Sequence, residues 1–368
     1  MNRLREISAL LCVATLVGLS GCAALNRSAP NSPDTIRTVA QVESAQGSVG
    51  RVATLGTDTF AATWRGAVLK VDARGATTLL LPSIGENVEP LDLKVGRDGT
   101  GYALFAPPEG SSSGGGMWID HFSADGTGVY QFTTFPSTAS VRSIDFDAAG
   151  MLITWVGDEL WKFDSSGDHE TVVHSSVRVT GEWAMDNRGT TFEINSAPSG
   201  GGSRDIRRIT SAGKESTFRT LPQGYSAQRI RIGDDGDVYV LSSGDKYGPG
   251  IDGEKSVVTR YDSEGSSNSF TLPYWRNPVS GDGFGTAPGA TDFVVDSEGA
   301  MYTANFGLKA VSRISATGEV TAEFIHLESG SPWSLGLSGD RRLLIAAVPD
   351  HDRNLTLPST IFALDLEG

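Results

Sequence analysis

Cysteine, histidine and positive charge are all scarce in this chain. There are two cysteines in 368 residues: Cys12 lies inside an apolar run and Cys22 closes it. Once that run is removed a single cysteine remains, and no intrachain disulfide can form. An exported protein of that kind relies on its core alone. The histidines, His121, His169, His174, His326 and His351, fall in no metal-ligand spacing such as H-x-x-x-H. Lys and Arg number 30 against 44 Asp and Glu, a net charge of −14. With no basic stripe or arginine-rich block, nucleic-acid binding is excluded, because neutralising phosphates needs clustered cations. The acidity also repels anionic lipid surfaces, so the body should stand off a membrane. Helical heptads are absent. Gly110-Ser-Ser-Ser-Gly114 matches a nucleophile elbow by its letters but lacks the strand-to-helix context that exposes the serine.

The only long apolar run is N-terminal. Arg3 and Arg5 precede it, Ile7 to Leu19 form a core of signal-peptide length, and Leu19-Ser20-Gly21-Cys22 ends it. The run is shorter than the ~20 residues of a spanning helix. The closing tetrad resembles the lipobox of bacterial lipoproteins, which implies cleavage before Cys22 and diacylation of its thiol. Two acyl chains anchor stably where one is marginal. Residues 1–21 then read as a signal peptide and 22–35, with Pro30 and Pro33, as a lipidated, flexible tether. The expected location is the bacterial cell envelope, on the outer face of the cytoplasmic membrane or on the outer membrane.

Residues 36–368 read as one repeated unit. A first turn recurs as Asp147-Ala-Ala-Gly150, Asp186-Asn-Arg-Gly189 and Asp296-Ser-Glu-Gly299. A second recurs as Asp72-Ala-Arg-Gly75, Asp164-Ser-Ser-Gly167 and Asp262-Ser-Glu-Gly265. In both, the carboxylate caps the turn and glycine supplies the positive φ of a tight reversal. Alternating apolar residues flank each turn and mark strands. Two hairpins per unit at about 35–50 residues is the signature of propeller blades. The units run roughly 48–82, 88–136, 140–175, 178–222, 226–273, 290–328 and 331–367. This predicts an all-β propeller of four-stranded blades, seven in number, with six or eight as the alternatives. The spare strand Ile36-Arg-Thr-Val-Ala-Gln-Val42 should complete the last blade and close the ring. Trp155, Trp161 and Trp183 read as packing between blades.

The turns Asp235-Gly-Asp-Val-Tyr239 and Asp296-Ser-Glu-Gly-Ala-Met-Tyr302 resemble those of NHL-repeat and streptogramin-lyase-like propellers. The resemblance implies the fold and leaves the chemistry open. Streptogramin lyases use histidines near the channel, and no histidine here falls on an inner strand. Counting four residues back from each first turn gives Asp92, Ser143, Glu182, Arg229, Asp292 and Ser334, polar positions that should converge on the axis. Asp92, Glu182 and Asp292 could hold Ca²⁺, in the manner of gluconolactonase-like propellers, but Arg229 competes with a cation and an acid–arginine network fits better.

Both tight turns of a blade lie on one face. The long segments Pro107 to Gly116, Ser196 to Ser203, Ser242 to Glu254, Tyr274 to Gly289 and Asp350 to Pro358 all fall on the other. Loops on a rigid scaffold are where binding sites form, and Tyr247, Tyr274, Trp275 and Phe284 are the candidate anchors. The favoured expectation is a monomeric binding or scaffold module, with no cofactor, that presents this face to an envelope protein, glycan or small ligand. The alternative is a metal-dependent hydrolase or lyase at the channel mouth.

Overall fold

The computed structural model describes residues 36–366 apart from 87, 108–115, 196–203, 245–255, 264, 273–288, 340 and 350–357. Its architecture follows from the two turns. Asp147 Oδ1 accepts the amide N–H groups of Ala149 and Met151, both at 2.9 Å, and Asp186 and Asp296 repeat the pattern. Asp72 does the same at the second turn, for Arg74 and Ala76. The glycine that ends each turn has positive φ, for example 82° at Gly150 and 85° at Gly75. Every turn therefore reverses the chain tightly and pairs the strands on either side antiparallel.

The result is seven blades in a ring. Blade 1 runs from the inner strand Val49–Leu55 to the outer strand Thr77–Leu81. Blade 2 runs from Glu89–Val95 to Gly128–Thr134, and blade 3 from Asp145–Phe146 to His169–Val179. Blade 4 runs from Trp183–Met185 to Glu215–Thr220, blade 5 from Tyr225–Ile232 to Ser267–Thr271, and blade 6 from Ala290–Val295 to Val320–His326. Blade 7 takes Ser331–Ser338, Arg342–Val348 and Ser359–Asp365, and its fourth strand is Ile36–Val42 from the other end of the chain. Ile36 pairs with Leu364 and Val42 with Ser359, so the ring closes as the sequence implied.

Blade 3 hides one hairpin. Its middle is a single twelve-residue strand, Leu152–Phe163, where other blades have two. The strand contains Gly157 at φ 68° and doubles back there, because Lys162 near its end pairs with Asp147, ahead of its start, at 2.8 Å. Its outer strand continues to Val179, past the boundary at 175 read from the sequence.

The core is divided among the gaps between blades. Phe60, Phe105, Phe122 and Trp118 fill the gap between blades 1 and 2, and Trp155, Trp183 and Ile209 that between blades 3 and 4. A fully buried Phe such as Phe60 contributes about 1.5–3 kcal/mol over an exposed one. Trp155 also donates its indole N–H to the Thr191 hydroxyl of blade 4 at 3.1 Å. Trp161 packs at the outer side of blade 3, stacked on His169 at 3.6 Å.

Candidate functional site

All seven inner strands run in the same direction, from the face carrying the links between blades to the face carrying the tight turns. Equivalent residues therefore form layers around the axis. The layer four residues before the first turn comprises Arg51, Asp92, Ser143, Glu182, Arg229, Asp292 and Ser334. Arg51 completes it. The sequence pattern missed this residue because the turn of blade 1, Leu55-Gly56-Thr57-Asp58, opens without an aspartate. A second layer lies two residues further along: Ala53, Lys94, Asp145, Ala184, Arg231, Val294 and Gly336. Side chains in a strand point to the same side every second residue, so counting by two from the first layer finds it.

The three carboxylates of the first layer lie on blades 2, 4 and 6, and each ties its blade to the next. Asp92 Oδ2 accepts the Ile144 amide at 3.0 Å, Glu182 Oε1 the Ile230 amide at 3.2 Å, and Asp292 Oδ2 the Leu335 amide at 3.1 Å. The receiving amide is always one residue past the first-layer position of the next blade.

Arginines take up what remains. Arg229 donates to Glu182 Oε2 at 2.6 Å. Arg231 donates to Glu182 Oε1 at 2.7 Å and to Asp292 Oδ1 at 3.2 Å, bridging blades 4, 5 and 6. Asp292 further accepts its neighbour Phe293 N–H at 2.9 Å and the Ser334 hydroxyl at 3.0 Å. Burial works to raise the Glu182 carboxyl, but Arg229 and Arg231 outweigh it and hold it at about 2. Burial likewise works against the charge of Arg231, and Glu182 and Asp292 overcome it. Asp92, Glu182 and Asp292 are thus distributed around the ring as latches between blades, and Glu182 and Asp292 are also ion-pair partners. Among the described residues no group of three or more His, Cys, Asp or Glu is gathered in a way that could hold a metal ion.

On the other arc of the channel the charges are loosely held. Among the described residues, Asp92 is bonded only by the amides of Leu93 and Ile144. Arg51 donates to the carbonyls of Leu91 at 2.8 Å and Gly50 at 3.0 Å. Burial, and then Arg229, push its guanidinium down to about 10. Asp92 holds Lys94 above its ordinary value, against burial. Burial raises the Asp145 carboxyl, and Lys94 offsets part of that.

The described histidines lie away from the channel. His121 is on the third strand of blade 2, His169 and His174 on the outer strand of blade 3, and His326 on the outer strand of blade 6. Tyr247, Tyr274, Trp275, Phe284 and Cys22 fall outside the described residues. The face of the long connections nevertheless has described aromatics at the channel mouth, which the sequence reading did not single out. Trp333, at the start of the inner strand of blade 7, lies 6.3 Å from Trp64 and 5.9 Å from Phe306. Trp64 lies over the inner strand of blade 1, where a Cβ on Gly50 would come within 2.9 Å of its indole nitrogen. That N–H is buried and, among the described residues, has no hydrogen-bond partner.

No protein-family model matches the chain, and no curated protein matches it in sequence. Solved structures do. Virginiamycin B lyase from Staphylococcus aureus superposes with a TM-score of 0.61 at 13% identity, over 90% of this chain and 99% of that one. A catalytically inactive histidine-to-alanine variant of that enzyme, with quinupristin, gives the same score at 14% identity, over 90% and 99%. YCF48 bound to D1 peptide scores 0.60 at 8% identity, over 92% and 99%. PorZ, a surface component of the type-IX secretion system of Porphyromonas gingivalis, scores 0.55 at 16% identity, over 87% of this chain and 46% of that one. At these identities the likeness is one of fold: this chain is a seven-bladed β-propeller with the architecture of the streptogramin B lyases.

Proposed function

We propose that this protein is a lipid-anchored, extracytoplasmic binding module that takes a protein segment on the face of its long connections. The observation that carries the reading is the asymmetry of the two faces. The capped turns that follow the first and third strands of each blade leave one face, and the strand ends flanking 108–115, 196–203, 245–255, 273–288 and 350–357 lie at the other, where among the described connections the ones at Gly66 and Gly157 are short. The aromatic group Trp64, Trp333 and Phe306 lies at that same face, and aromatic side chains dominate interface energies. YCF48 and PorZ, which share the fold, are a peptide-bound protein and a secretion-system component. A propeller that holds a protein segment is therefore physically reasonable. The latch-and-arginine arrangement in the channel also favours binding over hydrolysis, since three carboxylates are already committed to neighbouring blades.

The anchor follows from Cys22 and the segment before it. Among the described residues no helix is long and apolar enough to cross a membrane. Ile36 begins at the turn-face end of blade 7, so a tether through 22–35 would leave from that rim and hold the long-connection face outward.

Two experiments test the two halves of the reading. Cys22→Ser should release the protein from the membrane fraction and abolish labelling by radioactive palmitate; unchanged labelling would refute the anchor. On a peptide array covering exported proteins of the host, the wild-type propeller should retain a defined set of peptides. Trp333→Ala, or shortening of 245–255 and 273–288, should remove that set at unchanged melting temperature. Equal retention by all three proteins would refute the binding face.

A further inference from the structure

The loosely held arc of the channel surrounds a cavity of about 260 Å³ on the turn-face side of the first layer. Its floor is Arg51, Asp92, Asp292 and Ser334, and Lys94 and Arg231 stand over it. The space exists because the second layer is small on this side, with Ala53 on blade 1, Val294 on blade 6 and no side chain at all at Gly336 on blade 7. Three cations and two carboxylates line the cavity, with Glu182 against Arg231 and Asp145 acting on Lys94 from just outside it.

The distribution of that charge matters more than its sum. Arg231 is committed to Glu182 and Asp292. Asp292 is saturated by four donors, and both oxygens of Asp92 are taken by main-chain amides. Arg51 and Lys94 are different. Among the described residues neither has a carboxylate within ion-pairing distance, and Lys94 has no hydrogen-bond partner. Arg51 touches only carbonyl oxygens with two of its nitrogens, and burial works against its charge. Arg51 and Lys94 are both half-buried, and their counter-charges, Asp92 foremost for Lys94, act from beyond ion-pairing distance, so their hydrogen-bonding capacity is left for an incoming anion.

We infer that this cavity is a binding site for a small organic monocarboxylate, held by Arg51 and Lys94 with its apolar body against Ala53, Val294 and Gly336. A carboxylate fits the planar fork of Arg51. One carboxylate can be shared between Arg51 and Lys94, and the volume of about 260 Å³ excludes a polymer. The site lies on the turn-face side of the ring and is separate from the aromatic face, so the inference stands or falls independently of the protein-binding reading.

Isothermal titration of the full-length protein with acetate, isobutyrate, benzoate, chloride, sulfate and phosphate tests it. At least one carboxylate should bind saturably at one per chain, more tightly than any inorganic ion. Arg51→Gln and Lys94→Met should each weaken that binding about tenfold or more, the scale of a charge-assisted hydrogen bond. Gly336→Val, which keeps every charge and fills the space, should abolish it. No saturable binding by any of the six anions would overturn the inference. So would inorganic anions binding as tightly as the carboxylates, or affinity unchanged in both charge variants. Because the wild-type titration decides the first of these outcomes, a variant that fails to fold does not remove the test.

Discussion

The two arcs of the channel use the same residue types to opposite ends. Across blades 4 to 7, Glu182, Arg229, Arg231, Asp292 and Ser334 form one continuous chain of hydrogen bonds in which each carboxylate is also held by the next blade's main chain. Across blades 1 to 3, Asp92 and Asp145 act on Lys94, and Asp92 on Arg51, without closing into ion pairs among the described residues. Charge in a propeller channel therefore has two meanings. Where it is saturated it fastens blades together, and where it is unsaturated it leaves capacity for something else. The identity of a residue does not reveal which meaning applies, because the number of partners decides it.

Removing one partner should separate the arcs most clearly. Glu182→Ala leaves the half-buried Arg229 and Arg231 with one carboxylate between them, and should cost about 2–3 kcal/mol in chemical denaturation. Arg51→Gln gives up only carbonyl contacts and should stay within about 1 kcal/mol of wild type. Equal losses would erase the distinction.

Acid should act on the saturated arc. The folded Glu182 carboxyl lies at about 2 against an ordinary 4.5. Its contribution is complete above 4.5 and is lost as pH falls through the folded value, an effect of about 3 kcal/mol. Stability measured from pH 6 down to 2 should therefore fall less steeply in Glu182→Gln, from a lower starting point. A parallel fall in both proteins would contradict the pairing.

Asp145 should show the opposite sign. Burial raises its carboxyl above 3.8, so ionisation is less favourable folded than unfolded, and the penalty is present above that pH. Asp145→Asn should raise the melting temperature slightly at neutral pH and leave it unchanged below about 3.8. A loss of stability at neutral pH would mean that Asp145 is a needed counter-charge for Lys94, and that the open arc is less open than its geometry indicates.

The tight turns offer a further comparison. Gly213 has φ 77°, and a Cβ there would meet the His174 carbonyl of the preceding blade at 1.9 Å. Gly236 has φ 82° and open space around it. Alanine at Gly236 should cost about 1 kcal/mol for the backbone alone, and alanine at Gly213 more, because the two blades must move apart. Thermal melts of the two variants give the difference directly.

The fold was legible because one turn chemistry repeats: an Asp, Ser or Thr three residues before a Gly, or an Asp directly before it, marks the hairpins of most blades. The reversal at Gly157 falls between Met151–Trp155 and Leu160–Phe163, which read as two strands in the sequence although no capped turn marks the step between them. Six of the seven first-layer residues were found by counting from the turn, and Arg51 was lost with the irregular turn of blade 1. The sequence could place Asp92, Glu182 and Asp292 around the axis. It could not show that neighbouring amides and Arg231 would occupy their oxygens, because those partners come from other blades.

The strand that closes blade 7 also sets the order in which the ring can form. Every other blade is a set of consecutive hairpins, which can assemble as the chain emerges. Ile36–Val42 must wait for Ser359–Asp365, and the Val49 amide meets the Ser359 hydroxyl across 310 positions of sequence. Contacts of such separation form slowly. Until then the first strand made is an unpaired edge beside an unfilled core, the kind of surface that recruits other chains. The vulnerable interval for this protein is thus the time between the synthesis of its first strand and that of its last. Anything that lengthens the interval should favour aggregation over closure, without altering a single contact of the finished ring.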